Sequence, residues 1–173
     1  MPSSRRRTRL PAATREQLVL DDGERPLAWA TDREGRWYVG TDRALHLATD
    51  QGFRRLGWEQ VERADWQQDA GRLAVVEVSA WGEPEPRTAI EVDDAGQLLE
   101  LLRERITKSV VATRYARVRG KAGLSVVGRR SPAGQGPIVW SYLLSAGLDP
   151  DDPEVTAVAE RTLTEAQREL SGL

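Results

Sequence analysis

The chain has no cysteine, one histidine, one methionine and one phenylalanine among its 173 residues. Without cysteine there is no disulfide, no thiolate metal site and no cysteine nucleophile. His46 has no second imidazole or thiol to share a metal or a proton with, so histidine-based catalysis is not expected. Lysine is scarce too: Lys108 and Lys121 are the only two among 25 basic residues, an arginine bias of the kind a GC-rich genome produces. No run approaches the roughly 18 apolar residues that a membrane span needs. Arg5, Arg6, Arg7 and Arg9 imitate the start of an export signal, but Arg15 and Glu16 stand where its apolar stretch belongs. A cytoplasmic protein is expected, with residues 1–10 as a disordered basic tail.

What is present reads as a well-solvated globular chain, with 39% apolar and 30% charged residues. Turn signals recur at short intervals: Asp32 to Gly35, Gly40 to Asp42, Asp50 to Gly52, Asp69 to Gly71 and Gly82 to Pro84. Glycine and aspartate at that spacing imply a meander of antiparallel strands. Between the turns the chain alternates. Trp37 and Val39 share one face, with Arg36 and Tyr38 on the other; Leu45 and Leu47 oppose Ala44 and His46. That alternation points His46 at solvent or at the C-terminal part of the chain. The run Leu73 to Val78 is apolar on both faces, so it is either buried on both sides or bulged.

The period then changes to 3.6. Asp94 to Gln97 predicts a capping box, and Ala95, Leu98, Leu99, Leu102 and Ile106 form one helical stripe. Strand-like sequence resumes over 109–118, 124–130 and 137–144. A last helix follows Asp152-Pro153-Glu154, with Val155, Val158, Ala159, Thr162, Leu163, Ala166 and Leu170 as its stripe. The expected fold is α+β and mostly β. Residues 11–107 would form an antiparallel barrel capped by one helix, and 108–173 a β-β-β-α extension packed on it.

Two stretches carry a resemblance. Arg36-Trp37-Tyr38-Val39-Gly40-Thr41-Asp42-Arg43-Ala44-Leu45-His46-Leu47 resembles the second and third strands of bacterial pleckstrin-homology-like (GRAM-like) domains. Trp58-Glu59-Gln60-Val61, followed by Ala64-Asp65-Trp66 and Leu73 to Val76, is similar to the start of the next hairpin in that group. Residues 23–30 and 147–153 also look like an actinobacterial family of such proteins. The resemblance covers roughly residues 20–170 and implies a fold, not an activity. Phosphoinositide-binding relatives use a strongly basic first hairpin, whereas this one offers Arg33 and Arg36 beside Asp32 and Glu34. In the segment RLGWEQVERADW, residues 55–66, Leu56, Trp58 and Val61 are expected to anchor a crossing between strands. Trp66 would sit on the next strand, and the charges between would form a solvated face. Trp37, Leu45, Leu47, Trp58 and Trp66 are the expected structural anchors.

Familiar chemistries fail on spacing. Gly120-Lys121 lacks both the earlier glycine and the following Ser or Thr of a phosphate loop. Gly120 to Gly123 matches the GxxG of nucleic-acid-clamping KH domains, but strands rather than helices flank it. Asp93, Asp94, Asp149, Asp151 and Asp152 all stand where helices begin, and capping accounts for them. Ser141 has no elbow glycines around it. No enzyme, metal or cofactor is expected.

Charge is unevenly distributed. Residues 106–148 contain no Asp or Glu and seven cations. With four more in the tail and a whole-chain charge of −2, the remainder carries −13. The hairpin over 108–130 therefore holds the candidate binding residues Arg114, Arg117, Arg119, Lys121, Arg129 and Arg130. It either docks on the acidic body of its own chain or meets a partner. The first expectation is a non-enzymatic adaptor that binds another protein; the alternative is a nucleic-acid or anionic-membrane binder.

Overall fold

The computed structural model describes residues 9–134 and 136–172. It is mixed α and β, mostly strand, in three antiparallel sheets. The first sheet is a meander of β1 (Pro26–Thr31), β2 (Trp37–Thr41), β3 (Ala44–Thr49) and β4 (Gly52–Gly57). A 3-10 turn, Trp58–Gln60, leads into the second: β5 (Val61–Gln67), β6 (Arg72–Glu77) and β7 (Arg87–Glu91). Helix α2 (Gly96–Ser109) follows and runs without a linker into the third sheet, ordered β10 (Val139–Leu144), β9 (Ala122–Arg129), β8 (Val110–Arg119). Helix α3 (Pro153–Ser171) covers one face of that sheet. The expected barrel is not closed by strand pairing: the first two sheets remain separate ladders.

The first two sheets and α2 nonetheless share one apolar core. Tyr38, Leu45, Leu47, Leu56, Trp58, Leu73, Val75 and Ile90 pack there against Leu98, Leu101 and Leu102 of α2. Trp58 is fully buried and its indole N–H donates to the Thr41 carbonyl at 3.1 Å. The helix comes close because β2 has Gly40 at the contact. A Cβ there would stand 2.6 Å from a Leu101 methyl and 3.5 Å from the Trp58 ring. The helix begins at Gly96, two residues after Asp94, with Ala95 as its N-cap. Burial of its stripe, Leu98, Leu99, Leu101 and Leu102, holds this helix in place.

Alternation along β2 is as expected, and its two faces enter two different clusters. Tyr38 enters the main core, and its hydroxyl donates to Asp32 at 3.1 Å in the β1–β2 turn. Burial and the adjacent carboxylate push that phenol up to about 12. Trp37 and Val39 face outward, into a small cluster with Leu10, Leu18, Leu20, Trp29 and Phe53. Residues 9–25, which include the one-turn helix α1 (Ala12–Glu16), thus cover the outer face of the first sheet. Leu10, assigned to the tail from sequence, is buried in this cover; residues 1–8 lie outside the described residues.

His46 is buried under the same segment rather than facing solvent. Its Nε2 lies 3.3 Å from Glu24 Oε1, which also accepts from the Thr41 hydroxyl at 2.5 Å. Glu24 Oε2 accepts from Arg55 and from the Asp21 backbone N–H. Burial raises the Glu24 carboxyl, but these donors outweigh it and hold it below its ordinary value. Burial likewise holds the His46 imidazole below its ordinary 6.5, against the pull of Glu24. Both shifts favour the folded state at neutral pH, and both contributions disappear on acidification. Stability is expected to fall as pH drops below 6.5, where unfolded His46 takes up a proton. A further fall begins below 4.5, where unfolded Glu24 does the same. In His46→Gln the upper segment of that loss should vanish and the lower remain, read from urea midpoints against pH.

Candidate interaction surface

The basic hairpin pairs β8 with β9 through a turn at Gly120, which adopts φ +54. Along β8 the side chains alternate between two environments. Ala112, Arg114, Ala116 and Val118 are half-buried, while Thr113, Tyr115, Arg117 and Arg119 are exposed. The covered face looks onto α3, where Leu124, Val126, Val155, Val158 and Ala159 form a second core. The N-terminus of α3 is set by Asp152, whose side chain accepts from the Glu154 N–H, with Pro153 in the first turn. Trp81, on the β6–β7 loop, reaches into this second core. It meets Tyr142 edge-on at 4.9 Å between ring centres and donates to the Pro150 carbonyl at 3.1 Å.

The cations of the hairpin divide into two groups. Arg114 pairs with Glu165 and Glu169, and Arg119 with Asp152 and Glu154, all on or beside α3. Residues 149–173 hold seven carboxylates and two arginines, so the last helix, more than the larger acidic body, neutralises the hairpin. Arg129 is buried and is removed from the set available to a partner. It donates to the Glu62 carboxylate and carbonyl, both at 3.1 Å, and reaches Ser109 Oγ at 3.3 Å. Glu62 sits at a register shift of β5, between Val61 and Arg63, which turns it inward. It therefore does not belong to a solvated face, as the charge run around it implies; it is buried. Arg117 and Lys121 are exposed and Arg130 half-buried, and among the described residues none of the three has an ion-pair partner at salt-bridge distance.

The open face of the third sheet carries one cross-strand row in register: Tyr115 opposite Ser125, and Ser125 opposite Leu143. Tyr115 is 58% exposed and Leu143 41%. Tyr115 lies across Gly123, where a Cβ would come 2.4 Å from its hydroxyl, so the glycine lets the ring lie flat against the strand. Val110 and Val111 are exposed at the start of the same strand. β8 is also the outer strand of its sheet, and β9 is its one strand partner among the described residues.

The other anchors fall as follows. Leu45, Leu47 and Trp58 are fully buried, Trp66 packs half-buried against the main core opposite Leu73, and Trp37 lies in the outer cluster. Ser141 is buried, and among the described residues its hydroxyl has no hydrogen-bond partner. Among the described residues, no group of three or more His, Asp or Glu side chains is placed to hold a metal ion. No helix among them is long and apolar enough to cross a membrane. Sequence reasoning missed the edge position, which is not a local signal: β8 is outermost because β10 pairs with β9 and not with β8. The chain matches no family model, no curated protein and no solved structure.

Proposed function

We propose that the protein is a non-enzymatic interaction module whose contact surface is the open face and outer edge of the third sheet. The observation that carries this reading is the exposed apolar row on β8 and β10 beside two unpaired cations, Arg117 and Lys121. Exposed apolar side chains beside unpaired charge favour a protein partner. The element order supports the pleckstrin-homology-like reading of residues 11–107: four strands, three strands and a helix around one core. On that reading the larger part is the scaffold, and residues 108–173 carry the surface.

The nucleic-acid alternative is weakened by the internal ion pairs. Three of the six candidate cations are already paired with carboxylates of the chain itself. A polyanion contacting the remaining three would show a log–log salt slope of only about −2 to −3. The test places a photo-crosslinking amino acid at Tyr115 and irradiates the protein in lysate of cells that express it. Products are washed in about 1 M salt, where the Debye length is about 3 Å. A defined crosslinked protein is the expected product. Nucleic acid or lipid as the main product overturns the reading.

A further inference from the structure

The geometry points to strand addition. The partner of this surface is an extended acidic segment that pairs with the outer edge of β8 over Ala112–Arg117 and becomes a fourth strand of the third sheet. This rests on the reading of the third sheet as the contact surface and names what binds there.

Three observations carry it. The first is the edge itself. An outer strand presents N–H and C=O groups of alternate residues outward, and these are the strongest recognition elements an extended chain can find. β8 is ten residues long, α3 lies over one face of it, and among the described residues β9 is its one strand partner and Thr113, Tyr115 and Arg117 stand exposed.

The second is the register. β8 pairs irregularly with β9 between Val110 and Ala112, and again between Arg117 and Arg119. Such bulges end regular pairing. They bracket Ala112–Arg117, a six-residue run whose exposed side chains are Thr113, Tyr115 and Arg117. A strand added there would place a small polar residue, an apolar residue and a carboxylate opposite these three in turn.

The third is charge. Arg114 and Arg119 are neutralised by carboxylates on or beside α3, whereas Arg117 and Lys121, at one end of the run, are exposed and have no ion-pair partner among the described residues. Cations along an edge discourage pairing with a second copy of the same basic strand and admit a chain of opposite sign. A second copy is therefore the occupant the edge disfavours.

The probe is a displayed library of random nine-residue peptides, selected on the full-length protein and on the Arg117→Glu/Lys121→Glu variant. Both substitutions are at exposed positions outside either core, so the fold is retained. Selection on the parent should enrich peptides with alternating β-branched or aromatic residues and carboxylates at one end. Such a peptide should bind the parent at least about tenfold more tightly than its lysine-for-carboxylate version, and the variant should reverse the order. Hydrogen exchange on the complex should show protection of every second amide within residues 112–117.

If acidic peptides are selected but those amides gain no protection, contact is through the face alone. Strand addition then fails while the interaction surface stands. Absence of any enriched pattern, with a protein still crosslinked at Tyr115, likewise overturns strand addition and leaves the surface standing. If the free protein is a dimer with the same amides already protected, a second copy holds the edge and the inference is overturned. If neither peptide nor crosslinked protein is found, both readings fall together.

Discussion

Trp58→Ala should cost about 3–5 kcal/mol of stability, the range for emptying a buried aromatic site in a well-packed core. Trp58 has no exposed surface and lies where the first sheet, the second sheet and α2 meet, so no single neighbour can move in to fill the space. Its loss also strips the Thr41 carbonyl of the indole donor. Domains of this size have only about 5–15 kcal/mol in total, so the variant should be partly unfolded at moderate temperature. Trp58→Phe separates the two effects. It retains most of the volume, leaves the carbonyl without its donor, and should cost about 1–3 kcal/mol. Urea denaturation followed by circular dichroism measures both. A Trp58→Ala loss below about 1 kcal/mol would mean that the core collapses around the gap and that Trp58 is not its anchor.

That Trp58 would anchor a crossing was legible because a tryptophan between two strand patterns has few other uses. That the chain is mostly strand with two long helices was legible for a similar reason: turn residues and a change of period are local signals. Which face of a strand meets the core is not local. Trp37 and Tyr38 alternate as the sequence says, yet only the cover formed by residues 9–25 decides that Trp37 lies outside and Tyr38 inside. The cover is hard to see in sequence because its contacts, Leu10, Leu18, Leu20 and Glu24, follow no period. His46 was misplaced for that reason; its strand face looked solvated until the segment that buries it was known.

The candidate surface was legible as a charge pattern and not as a set of free groups. Residues 106–148 are as basic as the sequence shows, but a formal charge does not reveal its partner. Arg114 meets Glu165 across 51 positions, and Arg129 meets Glu62 across 67. Such pairs follow from the packing of α3 on β8 and of the third sheet on β5. The groups left without an ion-pair partner among the described residues are fewer than the sequence implied: Arg117 on β8, Lys121 in the turn after it, and half-buried Arg130.

The buried pair should give the other large effect. Arg129→Met is expected to lose about 3–5 kcal/mol, because it leaves Glu62 without its counter-charge in a site from which water is excluded. The side chains of Arg129 and Glu62 are 6% and 5% exposed, so solvent offers little compensation. The guanidinium also serves Ser109 and the Glu62 carbonyl, and both lose a donor in the variant. The pair itself is not an efficient source of stability. Among the described residues, Glu62 Oε2 and Arg129 Nε have no hydrogen-bond partner, so part of the desolvation of both ions is uncompensated. Glu62→Leu combined with Arg129→Met should therefore recover most of the loss and come within about 1 kcal/mol of the parent. A double-mutant cycle from urea midpoints gives the coupling directly, and near-additive losses would show that the two side chains act separately. Their contact joins β9 to β5 and to the end of α2, which fixes the orientation of the third sheet on the rest of the chain. Arg117 and Lys121 lie at the opposite end of the hairpin. The doubly substituted protein should then bind an acidic peptide as the parent does, while Arg117→Glu/Lys121→Glu, with stability unchanged, should not.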